Sequence, residues 1–527
     1  MNKNTQKNIE EIMINNPELK DKLFARGFLF TDANVDEKGY PFYELWQKKK
    51  IDKYTVLVAS KQSIYVKEKN GVSLILIGHA YNPFSMCASE VEILEELLDT
   101  IFMDEKFREK LNQITGIFTL ICIQGNKVYV VGDCTCMQTT FYGRVYNQIY
   151  VASHTNLIGD LLNLKYDEYV KQLSEYRFFS MLGNALPGDL TQFQEVKRLV
   201  PNHYIEVEEN RNIKVKRFYW PQFLKVDMDK IVQVTSDILY NNLKLITKKW
   251  EHPAISMTGG CDSKTTLSCA SGIYDKFLYF SYTSSESEDV DANAAHTICT
   301  ALNLAHEIYT ISQKDGDFEK IEEIRSILEW NTGNIIPVNK NDVRKRAFFA
   351  DTQDFDVEVK SWVSEVGRSY YSKRFNGRTK FGDKPTPRKC TTMYKFFLNN
   401  RKLVRQTDKV FKEYLDKYFE QAKENPIEWQ EQLFWEYRIP SWNGLVITGE
   451  HRYSFDITIP YNNRHLLELL LSVPIEQRIN DTIYSQIRKK REPIIDETGI
   501  AVTNLKHTKK REKAENLYYL LHSKIPF

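Results

Sequence analysis

The residues from Ser256 to Lys264, SMTGGCDSK, have types and spacing suited to one kind of chemistry, the handling of a polyphosphate. They follow an apolar run, HPAISMT, that reads as a buried strand, and they open a helical run, KTTLSCA, that stops at Gly272. Gly259 and Gly260 let the backbone turn tightly and bring amide N–H groups close to an anion, and the start of a helix adds partial positive charge. Ser256 leads into this turn, and Thr258 and Ser263 offer hydroxyl donors to phosphate oxygens. Asp262 carries the wrong charge for that company. It makes sense beside phosphates only with a divalent cation between them, which predicts Mg²⁺ on Asp262. The GxxxxGK[ST] spacing of the Walker A loop is absent. A plain turn with an N-cap is the alternative reading.

The elements that must hold this turn are legible around it. From Val56 to about Trp220 the chain alternates through short β segments: SIYVKE, VSLILIGHAY, IFTLICI, KVYVVGD, QTTFYG and QIYVAS. A helical stretch from Ser89 to Phe107 interrupts them, and NHYIEVEENRNIKVKRFYW closes the region with a hairpin around Glu209 and Asn210. This predicts antiparallel sheets with helices packed outside. After Trp220 the rhythm changes to an amphipathic segment from Met228 to Ile246 and then to helices alternating with single strands, HPAISMT, FLYFSYT, HEIYTIS and VEVKSWV. That alternation predicts a parallel α/β sheet. The expected boundary falls near Pro221, giving domains of 1–220 and 221–527.

Composition narrows the class. With 42% hydrophobic and 27% charged residues in 527, the chain can bury a large interior and reads as soluble and globular. Its 72 basic and 70 acidic residues leave a charge of +2, so no global field favours nucleic acid or an anionic membrane. No apolar stretch approaches the ~20 residues that span a bilayer, and MNKNTQKNIEEIMINNPELK lacks the apolar core of a secretory signal, so a cytoplasmic location is expected. The eight cysteines lack paired CxxC spacing; Cys134 and Cys136 read as reduced thiols rather than a zinc or redox pair. The basic cluster from Leu505 to Lys513 reads as a solvated helix face.

Thr258 to Ser263 resembles the PP-loop, SGGxDS, of the ATP pyrophosphatases, with Thr258 in place of the first serine. The order of LILIGHAYNP, SEVEILEELL, TGIFTLICI, Gly132-Asp133, FYG, VASHTNLIGDLL and LPGDLTQFQEVKRLVPNHYIEV resembles the asparagine synthetase superfamily, which includes beta-lactam synthetase. The resemblance implies an N-terminal αββα antiparallel sandwich, Ntn-hydrolase-like, of the glutamine amidotransferase type. It implies after it a parallel-sheet domain like the adenine nucleotide α-hydrolases, with a helical C-terminal part. A working glutaminase of this family needs cysteine at position 2, where this chain has Asn2 and no cysteine before Cys87, so the first domain is expected to be a glutaminase-inactive scaffold. Backbone groups of Phe280, Ser281 and Tyr282 lie where the family reads adenine, with ordinary core strand as the alternative. Asp291 falls on an acidic position of the family.

WVSEVGRSYY, from Trp362 to Tyr371, stands where asparagine synthetases carry SGEGSDE. The resemblance makes Glu365 the residue that orients or deprotonates the attacking amine, with Tyr370 beside it. Arg368 replaces an aspartate that would hold a second metal, and so either neutralises the leaving group or weakens the metal site; the first is preferred because an arginine fork suits phosphate oxygens. Glu436, Arg438 and Asn462 to Arg464 fall near the family's substrate pocket. A lysine of the family aligns with Thr482, leaving Lys489, Lys490 or Lys506 to supply its charge. The implied reaction joins a substrate carboxylate, activated by ATP with Mg²⁺ as an acyl-adenylate, to an amine, with Arg368 and Lys264 stabilising the departing pyrophosphate. The partners are thus a small molecule or peptide bearing the carboxylate and an amine donor, without nucleic acid or membrane; a homo-oligomer is left open. The competing reading is an inactive relative that binds nucleotide or a partner protein.

Overall fold

The structure, a computed structural model, describes residues 5–524 apart from 181, 182, 184, 223–226, 334–337, 351–353, 376–380, 398, 399, 420–426 and 501–508. Up to Arg217 the described chain forms β1 (Phe28–Thr31), β2 (Trp46–Ile51), β3 (Tyr54–Ala59), β4 (Ile64–Lys69), β5 (Val72–Tyr81), β6 (Thr115–Gln124), β7 (Lys127–Gly132), β8 (Phe141–Val145), β9 (Gln148–Ala152), β10 (Val196–Arg198), β11 (His203–Val207) and β12 (Ile213–Arg217). They make two six-stranded sheets, ordered β10-β8-β9-β1-β3-β2 and β12-β11-β7-β6-β5-β4. Neighbours in both sheets run antiparallel.

Period-two alternation builds the layers. Phe28, Phe30, Val56, Val58, Ile75, Ile77, Ile121, Ile123, Val128 and Val130 interleave between the two sheets. The intervening Leu74, Leu76, Leu120 and Cys122 face outward under Ile93, Leu94, Leu97, Phe107 and Leu111. Those five belong to two helices, Glu90–Leu98 and Glu105–Gln113, where the sequence suggested one continuous stretch. Asp104 makes the break: its carboxylate accepts from the Phe107 amide at 2.7 Å and caps the second helix. The first two strands also precede the expected start at Val56. WQKKKI hides as an edge strand because its lysines are exposed and show no alternation.

The C-terminal half centres on a parallel sheet of β13 (Pro253–Ser256), β14 (Leu278–Thr283), β15 (Glu307–Thr310), β16 (Val357–Val359) and β17 (Asp456–Thr458), ordered β15-β14-β13-β16-β17. The chain winds outward from β13 to β15, then returns to the other side of β13 for β16 and β17. That reversal marks the topological switch point at the carboxyl ends of β13 and β16, where open α/β sheets have their ligand crevice. The strand β17 was not among those expected. The sandwich abuts this sheet through Thr458, whose hydroxyl meets His79 Nε2 at 3.2 Å and Tyr81 Oη at 3.0 Å. The helix Ile321–Asn331, though part of the later half, packs Ile324, Ile327 and Leu328 with Ile9 and Met13 on the outer face of the first sheet. Among the described residues no helix is long and apolar enough to cross a membrane.

Candidate functional site at the switch point

Two turns meet in the crevice. The first leaves β13 and runs through Thr258 to the helix Cys261–Cys269. Its hydroxyls hold the turn itself: Thr258 N–H donates to Ser263 Oγ at 3.3 Å, Ser263 Oγ donates to the Thr258 carbonyl at 2.8 Å, and Gly260 N–H donates to Thr258 Oγ1 at 3.1 Å. Any side chain at Gly260 would begin 3.1 Å from that Oγ1. Asp291 lies near the Gly259 amide, and burial raises its pKa against the lowering effect of that amide. No side chain caps the helix that follows, so the partial positive charge of its first turn stays open to an anion.

The second turn follows β16. Val363, buried and β-branched, adopts φ 75°, and Ser369 adopts φ 51°; between them Ser364–Arg368 forms one tight 3₁₀ turn. Such conformations cost about 1–3 kcal/mol each and persist where the surroundings over-determine them. Gly367 supplies part of that constraint, because a Cβ there would lie 2.6 Å from Leu470 Cβ and 2.9 Å from Tyr484 Oη. Tyr484 Oη also donates to the Ser364 carbonyl at 2.6 Å.

Asp262 joins the two turns. Its Oδ1 accepts from Ser364 Oγ at 2.7 Å and its Oδ2 accepts from Arg368 Nη1. The rest of the Arg368 guanidinium is spent on Asp481, with Nε and Nη2 each 2.8 Å from its two oxygens, and Lys373 Nζ binds the same carboxylate. Burial acts to raise the pKa of Asp481, but Arg368 and Lys373 outweigh it and hold the carboxyl below its ordinary value. Glu365 lies beside this network with Oε2 buried and without a hydrogen-bond partner among the described residues. Burial, reinforced by the Asp262 charge, pushes its carboxyl up to about 7.

Magnesium on Asp262 does not suit this arrangement. A divalent ion on Oδ2 would have to displace the Arg368 guanidinium that already occupies it. Among the described residues no cluster of three or more His, Cys, Asp or Glu could hold a metal. The donors present suit a phosphate better: the helix start has no side-chain cap, and Arg368, bonded to Asp262 in its first turn, shares Asp481 with Lys373.

Of the other residues singled out in the sequence, Lys264 turns away from the crevice and donates Nζ to the Ile500 carbonyl at 2.8 Å, with burial and Arg488 lowering its pKa. Ser256 ends β13 opposite Phe280. Phe280 is fully buried, stacks on Phe355 at 4.9 Å, and gives its carbonyl to the Met257 amide. Ser281 Oγ donates to the Met257 carbonyl at 2.7 Å, and Tyr282 lies under Lys345 Nζ at 4.8 Å. Tyr370 stacks on Phe434, centroids 4.6 Å apart. Glu436 and Asn462 face the sandwich, bonded to Arg217 and to Asp133. Lys489 and Lys490 point to solvent; Asn2 and the first part of the basic cluster, 505–508 with Lys506, lie outside the described residues. The lysine brought to the cleft is Lys373, held on Asp481 next to Thr482. Sequence reading missed Lys373, Asp481 and Arg488; the last donates to Thr265 Oγ1 at 3.0 Å and Cys261 Sγ at 3.3 Å. Their only signal was charge, Lys373 just after Tyr371 and Asp481 and Arg488 around Thr482, which spacing alone cannot tell from a solvated face. Cys134 and Cys136 are buried free thiols, pushed up by burial.

No family model matches the chain, and no curated protein matches it. Among solved structures, one described as the allosteric regulatory enzyme of purine biosynthesis aligns at 10% identity and TM-score 0.26, covering 47% of this chain and 58% of its own. Glutamine phosphoribosylpyrophosphate amidotransferase from B. subtilis, complexed with ADP and GMP, aligns at 10% identity and TM-score 0.24, covering 69% of this chain and 74% of its own. This chain thus spans less than two thirds of the first. Likeness at this level shows no family.

Proposed function

We propose that the switch-point crevice binds ATP by its phosphates and that the chain is an AMP-forming carbon–nitrogen ligase of the asparagine synthetase kind, with an Ntn-hydrolase-like sandwich that has no glutaminase of its own. The observation that carries this reading is the meeting of the Thr258–Ser263 and Ser364–Arg368 turns at the reversal of strand order, with Glu365 titrating near neutrality between them. A substrate carboxylate oxygen attacks the α-phosphorus, the bond to the β-phosphate bridging oxygen breaks, and pyrophosphate leaves. Arg368, fixed by Asp481, offsets the charge that develops on the leaving group, and Lys373 adds to the same field. An amine then attacks the acyl carbon. Glu365 as the carboxylate takes the proton the amine sheds, and AMP departs. No step is assigned to a metal held by Asp262.

A second reading, a nucleotide-binding relative without turnover, is favoured by Lys264, whose ammonium is committed to the Ile500 carbonyl rather than to the crevice. Pyrophosphate release from ATP with a panel of carboxylates and amines separates the two. Carboxylate-dependent release that falls at least a hundredfold in Arg368→Ala supports the ligase. Nucleotide binding without release for any pair supports the second reading, and absence of both sinks the site.

A further inference from the structure

We infer that Arg368 takes the place of a protein-bound divalent cation, so that this crevice binds a nucleoside polyphosphate through protein cations alone. The inference rests on the nucleotide-binding reading and specifies how that site works.

Three observations lead there. The carboxylate of the Gly-Gly turn is already neutralised: Asp262 Oδ2 carries Arg368 Nη1, and Oδ1 carries the Ser364 hydroxyl. Arg368 is not a loose surface side chain that a metal would displace. Its Nε and Nη2 form a two-pronged contact with Asp481, it starts from a turn bounded by Val363 and Ser369 in the left-handed region, and its guanidinium lies 5.8 Å from the Tyr484 ring centroid. To admit a metal, Arg368 would have to leave Asp262 while its other two nitrogens stay tied. Charge points the same way. The carboxylates beside the turn are already matched by cations, Asp262 by Arg368 and Asp481 by Arg368 and Lys373. A site for a hard dication needs an excess of anionic oxygen ligands, and these have none to spare. The Arg368 side chain keeps 20% exposure, and Nη1 and Nη2 each carry one N–H beyond those given to Asp262 and Asp481.

The test has two arms on the whole chain. In the first, affinity for ATP is measured by calorimetry with excess Mg²⁺ and again with EDTA. A change below tenfold is expected, and a loss of tenfold or more in EDTA overturns the inference. In the second, Mn²⁺ binding is followed by paramagnetic resonance without nucleotide. Wild type should show no site that Asp262→Asn removes, whereas Arg368→Asp, which sets three carboxylates together, should gain one. A Mn²⁺ site in wild type that is lost in Asp262→Asn overturns the inference, even if Arg368→Asp fails to fold. Failure of ATP to bind under either metal condition counts against the nucleotide-binding reading instead, and the Mn²⁺ arm still decides whether Asp262 is closed to metal.

Discussion

Two arginine–carboxylate pairs in this molecule have the same chemistry and opposite roles. Arg217 and Glu436 join the last strand of the sandwich to the helical part of the C-terminal half, with Nη1–Oε1 at 2.6 Å and Nη2–Oε2 at 2.7 Å. Their side chains are only 3% and 2% exposed, and Asn202 and Gln432 fill the remaining acceptor positions at 3.0 Å. Arg368 and Asp262 make a one-point contact at 20% and 22% exposure, with the arginine fork turned to a third residue. The first pair is a closed strut. The second keeps part of its charge accessible in a crevice, which is how a binding group differs from a structural one when both read as arginine beside acid.

Variants can break that distinction or sharpen it. The largest effect is expected at the crevice: Glu365→Gln should lower ligation by about 10²–10⁴-fold, the usual reach of a general base. The pH profile gives a second readout. Glu365 must lose its proton to act, and its raised carboxyl places that loss near pH 7, so wild-type rate should climb through about pH 7. In the glutamine variant any residual rate should lack that arm, and an unchanged arm would assign the titration elsewhere. Next in size, Arg217→Ala leaves Glu436 buried without its partner and should cost about 3–5 kcal/mol of stability, read from denaturant unfolding. Ligation per folded molecule should stay near wild type; a drop in ligation at unchanged stability would return Glu436 to the substrate pocket that sequence resemblance suggested. Smallest, Gly367→Ala drives a methyl against Leu470 and Tyr484 and should cost about 1–3 kcal/mol, with pyrophosphate release falling as the turn shifts. Full stability in that variant would mean the turn is not pinned from behind.

The same contrast explains what could be read from the residues. The long alternating strands from Ile64 onward and the strands of HPAISMT and FLYFSYT were legible because burial on one or both faces imposes a period or an apolar run. The Gly-Gly turn was legible from its residue types and its place between strand and helix, although Gly260 adopts an ordinary extended backbone, φ −71°. The strands WQKKKI and DIT were not; the first is a polar edge whose exposed lysines show no alternation. In the crevice, Asp262, Glu365 and Arg368 could be named from their spacing and a resemblance, but not the direction each side chain takes.

The amino-acid sequence by itself determined the succession of antiparallel and parallel elements, the turn after the central strand and the types of group available to it, since these follow from local periodicity and backbone tolerance. Only the tertiary structure decided who meets whom. Asp481 lies more than a hundred residues from Arg368 and Lys373, and it meets both because the turn after β16 and the start of the helix Thr482–Arg491 converge. An ion pair depends on distance and burial, and neither is written in the order of residues along the chain.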